Sequence, residues 1–300
     1  MIIEHQQTVQ VSDGTHFGTH FWQPDTLADD APVALCLPAM GVRASYYRPL
    51  AEALCGQGFP VVTADLRGLG SSSVRASRLQ DFGYLEIVER DLPALLDAVK
   101  ARHPDREVFA LGHSLGGQIA CLTAAAEPGA INGLILVASC SVYYGGYAFP
   151  KSLFVLLFEQ SAALSARILG YFPGRLVRFG DREARRLVRD WAHQGRTGRY
   201  EVQGSSRRYE ALLAASRVPL LAVSFADDSY APRRAVEHLL AKMPRADRTH
   251  HHLDPKVLGS PSVGHFGWVK RADQLAPRLT DWISGIQRQG SEPSPGLSTR

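Results

Sequence analysis

The chain of 300 residues is 45% hydrophobic and 21% charged, which excludes a disordered chain and indicates a globular protein with a sizeable core. Its net charge of +4 is too small to predict nucleic-acid binding, so no nucleic-acid partner is expected. The four cysteines lie singly in apolar segments and predict buried thiols in a reducing compartment, not a disulfide framework or a metal site. The first segment, "MIIEHQQTVQVSDG", lacks the features of a secretory signal, and a cytoplasmic location is expected.

The first third of the chain predicts a hairpin and then alternating strands and helices. The runs "QTVQV" and "THFGTHFW" flank "SDG", which is a turn signature of a β-hairpin. The apolar runs "PVALCLP" and "FPVVTADL" predict buried strands. Between them, Ser45 is expected to cap the helix "YYRPLAEALCGQG".

The middle of the chain repeats this alternation. Apolar residues at helical spacing predict a helix over 83–101, and "EVFAL", a helix after Ser114 and the strand "NGLILVA" follow it. This order predicts a mostly parallel sheet with helices on both faces. The apolar window 130–149 could suggest a membrane span, but its glycines and serines favour a buried strand followed by a loop.

The pattern changes over residues 142–217, where two long segments predict helices with no buried strand between them. Strand and helix then alternate again through "VPLLAVSFADD", "RRAVEHLLAKM", "ADRTHHHLD" and "ADQLAPRLTDWISGI". The sequence therefore predicts an α/β core of residues 1–141 and 218–288 with a helical cap, or lid, inserted at 142–217. Residues 289–300 are polar and rich in Pro, Gly and Ser, and a disordered tail is expected there.

The run Gly112-His113-Ser114-Leu115-Gly116 has the pattern G-x-S-x-G between a predicted strand and a predicted helix. In this context the serine sits on a strained turn, and small residues at positions 112 and 116 avoid clashes with the strand and the helix. The helix N-terminus supplies N–H groups for a developing oxyanion. The pattern predicts Ser114 as a nucleophile; the alternative is a glycine-rich turn with an idle serine.

A nucleophilic serine needs a base, and the base needs an orienting acid. His265 lies in a glycine-flanked loop before the last predicted helix, where it can reach the edge of the sheet. Asp227 and Asp228 both follow the preceding strand and compete for the role of the acid. Asp228 is favoured because it stands four residues before Pro232, where the next helical stretch begins.

These segments resemble the α/β-hydrolase superfamily over residues 15–286. "GHSLGG" resembles the esterases, the monoacylglycerol lipases and the serine aminopeptidase-like hydrolases, and "DLRGLGSS", "ADDSYAP" and "GHFGW" are similar to further loops of that group. The resemblance implies an α/β-hydrolase fold and a triad of Ser114, His265 and Asp228. Such chemistry needs no metal and no organic cofactor.

The sequence departs from this group after the third predicted strand. The family usually has His-Gly there, whereas this chain has Pro38-Ala39-Met40-Gly41. Backbone donors do not require the histidine, so the oxyanion hole is expected to use the N–H groups of Leu115 and Met40.

Three other features have plainer interpretations. Asp65 and Arg67 are expected to hold their loop by local hydrogen bonds, and His250-His251-His252 is expected to lie on a partly exposed strand instead of binding a metal. Residues 151–210 contain twelve basic and six acidic side chains. That excess could steer anionic substrates or contact an acidic membrane, but a solvated helical face is favoured and membrane contact is not expected.

The sequence thus predicts a serine hydrolase that cleaves a carboxylic ester or a related acyl bond of a small-molecule acyl substrate through an acyl-enzyme. An aminopeptidase, an amidase or an acyltransferase would use the same triad and stay open as alternatives. A non-catalytic binding protein on this fold is a third possibility, which the intact order of Ser, Asp and His argues against. The sequence does not specify the substrate or the oligomeric state.

Overall fold

A computed structural model describes residues 2–27 and 30–291. Within them the strands, in chain order, are β1 (Ile3–Gln10), β2 (His16–Gln23), β3 (Val33–Leu37), β4 (Val61–Ala64), β5 (Val108–His113), β6 (Gly133–Val137), β7 (Tyr171–Pro173), β8 (Arg182–Ala184), β9 (Leu220–Phe225) and β10 (Arg248–Leu253). The helices are α1 (Arg48–Gly56), α2 (Tyr84–Glu86), α3 (Leu92–Arg102), α4 (Leu115–Ala126), α5 (Lys151–Leu169), α6 (Arg185–Thr197), α7 (Tyr209–Ala215), α8 (Arg233–Leu240) and α9 (Ala272–Ser291).

Eight strands form one sheet in the order β1-β2-β4-β3-β5-β6-β9-β10. The pairs β1–β2 and β2–β4 are antiparallel, and every pair from β4 to β10 is parallel. The N-terminal hairpin and the mostly parallel sheet are therefore confirmed. The carboxyl ends of β3, β5 and β9 lie at one edge, where ligands bind in folds of this kind.

Helices cover both faces of this sheet, as predicted. Alternate residues of β3 point to opposite sides, so that Leu35 packs in one apolar cluster with α3 and α4, while Cys36 packs in another with α1 and α9. Strands buried on both faces read as continuous apolar runs, which explains the segments that predicted them. All four cysteines are buried and unpaired, as expected.

Residues 142–217 lie between β6 and β9 in the chain and contain α5, α6 and α7. Phe172, Val188 and Trp191 form a small apolar cluster of this region with alanines of α5. The segment also contains the two-stranded antiparallel sheet β7–β8, which the sequence did not predict because each strand has only three residues. We call residues 142–217 the cap; its status as a separate insertion domain stays a prediction.

Three local expectations can be compared with the structure. The window 130–149 contains the buried strand β6 and then a loop, as predicted. Ser45 does not cap a helix, because it lies inside a 3-10 turn, Ala44–Tyr47, that precedes α1. Helix α9 continues to Ser291, beyond the predicted start of the tail, and the remainder of the predicted tail lies outside the described residues.

Candidate active site

Ser114 occupies the turn between β5 and α4. Its backbone has φ 53° and ψ −116°, a conformation that side-chain-bearing residues rarely adopt. Strained backbone of this kind persists only where the surrounding structure enforces it, and it is typical of the nucleophile elbow. The predicted strand–turn–helix context of Ser114 is present.

The glycines on either side of Ser114 are required by close backbone approach. A Cβ atom on Gly112 would lie 2.3 Å from the Cα atom of Gly117, and one on Gly116 would lie 2.3 Å from the carbonyl oxygen of Leu37. Contacts this short do not occur between real atoms, so β5, α4 and the end of β3 can meet only if both residues are glycine. This packing brings the loop after β3 beside the serine.

The loop after β3 carries Met40, the residue predicted to be the second oxyanion donor. The N–H of Ala39 donates to the Tyr47 hydroxyl at 2.9 Å and is therefore engaged. Within residues 2–27 and 30–291, the N–H groups of Met40 and Leu115 donate to no protein acceptor, and both residues line the cavity that contains Ser114. Gly41 has φ +73°, and a Cβ there would lie 2.5 Å from the backbone of the β7–β8 turn, so this loop packs directly against the cap.

Asp228 and His265 form a buried pair. The carboxylate Oδ2 of Asp228 lies 2.8 Å from Nδ1 of His265, and its Oδ1 accepts the N–H groups of Tyr230 and Ala231. The side chain of Asp228 has no exposed area and that of His265 is 7% exposed. The carboxylate is thus fixed by its own loop and contacts His265 through Nδ1 and not through Nε2.

The neighbouring Asp227 has a different role. Its Oδ2 accepts the Ser262 hydroxyl at 2.6 Å and the N–H groups of Val263 and Gly264 at 2.9 and 3.0 Å. These bonds anchor the loop that carries His265. Consecutive aspartates therefore contact the histidine loop in two ways, one through its backbone and one through the imidazole.

The structure brings Ser114 and His265 to the same cavity but does not join them. Among the described residues no hydrogen bond links the Ser114 hydroxyl to the imidazole. Catalytic hydrogen bonds are often long without substrate and tighten when it binds, so this geometry is compatible with the predicted pair. The direct contact stays a prediction.

A buried chain of hydrogen bonds that the sequence analysis did not single out supports this arrangement. The Tyr47 hydroxyl lies 2.7 Å from Nδ1 of His113, and Nε2 of His113 lies 2.9 Å from the backbone carbonyl of His265. Since Tyr47 already accepts the Ala39 N–H, its own proton points to Nδ1, and Nε2–H donates to the carbonyl. Burial, together with the nearby His265, holds the pKa of His113 well below its usual range.

The cavity over Ser114 has a volume of about 360 Å³, within the usual range for small-molecule sites. Its cap-side wall is mostly apolar and aromatic, formed by Phe154, Val155, Phe158, Val177, Phe179 and Trp191. Polar groups on the wall include Gln118 and Glu159. Such a site suits an acyl chain that extends from the serine toward the cap.

The outer side of α5 is apolar and exposed. Leu153, Leu157, Leu164 and Ile168 all expose about half or more of their surface, and Phe154, at the edge of the cavity wall, is also 66% exposed. Among the described residues, α5 alone has the length and apolar composition of a membrane span, which is weak evidence because core helices share these properties.

The remaining sequence features form structural contacts, and those of Arg67 reach residues distant in sequence instead of the predicted local partners. Arg67 is buried and pairs with Asp91, while Asp65 accepts the N–H groups of Ala44 and Ser71, so this loop is held internally. The rings of His250 and His252 converge on the Ser224 hydroxyl at 2.8 and 2.7 Å. Over residues 2–27 and 30–291 the structure contains no cluster of three potential metal ligands.

Comparison with known proteins gives a family and a fold. The family model described as "Serine aminopeptidase, S33" matches residues 33–256. The monoglyceride lipase of Homo sapiens is 33% identical over 129 residues, a match that covers 42% of this chain and only 40% of that relative.

Among solved structures, Est1E of Butyrivibrio proteoclasticus with bound ferulic acid has a TM-score of 0.66 at 15% identity, covering 94% of this chain and 99% of that one. An esterase from Exiguobacterium antarcticum has a TM-score of 0.61 at 15% identity, with 93% and 99% coverage. At these identities the likeness establishes the fold.

Proposed function

The chain belongs to the serine aminopeptidase S33 family of α/β-hydrolases, and on this premise we propose that it cleaves carboxylic esters through an acyl-enzyme formed on Ser114. The observation that carries the proposal is the buried Asp228–His265 pair beside the strained Ser114 turn, at one cavity. The apolar wall of that cavity and the similarity to a protein named monoglyceride lipase favour an acyl ester as substrate.

In the proposed reaction the Ser114 hydroxyl attacks the ester carbonyl while Nε2 of His265 takes its proton. Asp228 holds Nδ1–H, which fixes the tautomer and stabilises the imidazolium that forms. The N–H groups of Leu115 and Met40 bind the oxyanion, since neither is engaged in the protein. His265 then gives this proton to the leaving-group oxygen as the C–O bond breaks, so that the alcohol departs. Water attacks the acyl-enzyme in the same way, which releases the carboxylic acid and restores the Ser114 hydroxyl.

Amide cleavage is a second candidate, because the matching family model is described as a serine aminopeptidase. The same three side chains would perform it, with an amine as the leaving group. Acyl transfer differs only in the final acceptor. None of these reactions calls for a metal or an organic cofactor, and a cytoplasmic location stays a prediction.

A panel of esters, thioesters and aminoacyl amides that share one acyl group tests the proposal. The wild-type protein should turn over the esters fastest, and Ser114→Ala should lose this activity. Ser165→Ala, on the cap helix α5, is the matched control and should retain it. Preferred cleavage of the amides would favour the second candidate, and equal turnover by wild type and Ser114→Ala would rule out the nucleophile.

A further inference from the structure

Glu159 on α5 is a buried carboxyl group at the wall of the cavity over Ser114. The residue is 1% exposed, and both of its carboxyl oxygens are inaccessible to solvent. Neither oxygen has a hydrogen-bond partner anywhere in residues 2–27 and 30–291. An acidic side chain that lacks any partner in a protein interior is exceptional.

The surrounding charges do not compensate for this burial. Lys151 and Arg178 line the same cavity, but neither forms an ion pair with Glu159, and the Lys151 amine bonds to the carbonyl of Ser229. Burial raises the pKa of Glu159 to about 9, so the group is uncharged at neutral pH. A neutral carboxyl group offers one O–H donor and a carbonyl acceptor, and here both are unused.

The neighbouring helix leaves room for this carboxyl group. A Cβ atom on Gly195 of α6 would lie 1.7 Å from Oε2 of Glu159. Glycine is unfavourable in a helix interior, and α6 tolerates it at the point where the carboxyl group packs. Any larger residue at 195 would displace Glu159, so the two positions depend on each other.

Gln118, an amide at the same wall, already has partners at both its nitrogen and its oxygen. Nε2 of Gln118 donates to the carbonyl of Cys140 at 2.9 Å, and its Oε1 accepts the Tyr84 hydroxyl at 3.2 Å. Gln118 is therefore a rigid part of the wall. Glu159 lines the same cavity and is left as a buried carboxyl group without a partner, and a small turn of its side chain from Gly195 toward the cavity would bring it to a ligand.

We propose that Glu159 determines substrate specificity by hydrogen-bonding a neutral oxygen group, such as a hydroxyl, carried on the acyl chain within the cavity. This inference rests on the proposed ester hydrolysis and specifies its substrate class. A neutral ligand group fits because Phe158 and Trp191 make the surroundings apolar, where an ion pair would be costly to desolvate. A bound hydroxyl satisfies the carboxyl group and removes the cost of leaving it unpaired.

The test is a set of octanoyl esters that each carry a single hydroxyl group at a different carbon, with the unsubstituted ester as reference. The wild type should prefer the hydroxylated ester at one or two positions by about tenfold in kcat/KM, the value of one well-formed hydrogen bond. Glu159→Gln, which keeps a donor and an acceptor, should retain the preference. Glu159→Leu, which has similar size and no polar group, should abolish it.

Stability separates this role from a structural one. If Glu159 serves recognition, Glu159→Leu should have a Tm equal to or above that of the wild type, since an unpaired buried carboxyl group is removed. A lower Tm together with an equal loss on all esters would show that Glu159 supports the fold and would overturn the proposal. A wild type without positional preference would also overturn it.

A binding measurement makes the test independent of catalysis. The hydroxylated octanoyl methyl esters should bind Ser114→Ala about tenfold more tightly than the unsubstituted ester, and Ser114→Ala/Glu159→Leu should lose this difference in calorimetry. If the wild type turned over none of these esters but the binding difference were found, only the esterase proposal would be refuted. A preference for amino-substituted chains that Glu159→Gln removes would instead identify a cationic ligand and contradict a neutral one.

Discussion

Helices α4 and α5 are both apolar, yet the protein uses them in opposite ways. In α4, directly after Ser114, every residue except Ala126 is buried. In the longer α5, only Glu159, Ala162 and Ala166 are buried, and apolar side chains face outward. The comparison separates the tightly packed α/β core, which holds Ser114 in position, from the cap, which shapes the cavity with fewer packing contacts.

Backbone contacts show the same difference. Around α4, glycines at 112 and 116 let three elements touch with no space for a methyl group. On α5 the described contacts with the site are side chains at the cavity wall. Substitutions in the α/β core should therefore lower stability and the activity on every substrate. Substitutions in the cap should change the relative activity among substrates.

The largest effect should come from Asp228, the carboxylate that contacts His265 in the α/β core. Asp228→Asn keeps the shape of the side chain but favours the wrong imidazole tautomer, so kcat should fall by about 10⁴-fold with little change in Tm. Asp227→Asn is the matched control. It weakens a loop anchor and should cost no more than about tenfold in kcat. Equal losses in the two variants would contradict the assignment of Asp228.

A methyl group next to Ser114, at the turn between β5 and α4, should destabilise the α/β core. Gly116→Ala would place Cβ 2.3 Å from the carbonyl oxygen of Leu37, so the free energy of unfolding should drop by about 3 kcal/mol. Gly285→Ala in α9 is the control, because a Cβ there meets nothing within 4 Å. Chemical denaturation of both variants measures the difference, and a Gly116→Ala protein of wild-type stability would refute the proposed close approach.

The buried carboxyl group of Glu159 in the cap should make the free energy of unfolding depend on pH. Its pKa is about 9 in the folded protein against 4.5 for the exposed group, so ionisation adds no cost to folding well below pH 4.5 and an increasing cost as the pH rises from 4.5 toward 9. Between pH 4.5 and pH 7 the wild type should lose ~3 kcal/mol of unfolding free energy relative to Glu159→Gln. Parallel stability curves for the two proteins would show that the carboxyl group is not buried in solution.

The smallest effect should be a change of chain-length preference. Phe154 lines the cavity, so Phe154→Ala should shift the preferred acyl chain toward longer esters by about tenfold in relative kcat/KM. Leu157, one turn further on α5, does not line the cavity, and Leu157→Ala should leave the ranking from butanoyl to decanoyl esters unchanged. Identical shifts in the two variants would contradict the assigned cavity wall.

The structure of the α/β core was easier to predict from the sequence than that of the cap, for physical reasons. Strands buried on both faces leave continuous apolar runs, and the elbow needs glycine at fixed positions, so the parallel sheet and the Ser114 turn were recognisable. In the cap, the three-residue strands β7 and β8 are too short for a periodic signal. Ser45 had the composition of a helix cap, but the chain makes a 3-10 turn there first.

Two features of the site depend on contacts between distant residues. Tyr47 and His113 are 66 positions apart, and their hydrogen bond has no local signature. Glu159 lies in an apolar helical segment where a single glutamate is typical of an exposed position. Its burial depends on packing against Gly195 of α6, which is distant in sequence. No pattern within one segment could have revealed either feature.

The most direct test of the central claim is the site of covalent modification by a fluorophosphonate probe, read by peptide mass spectrometry. If Ser114 is the nucleophile, the wild-type protein should carry one adduct, on Ser114, and Asp228→Asn should be labelled much more slowly at equal Tm. An unlabelled wild-type protein, or an adduct on another serine, would contradict it.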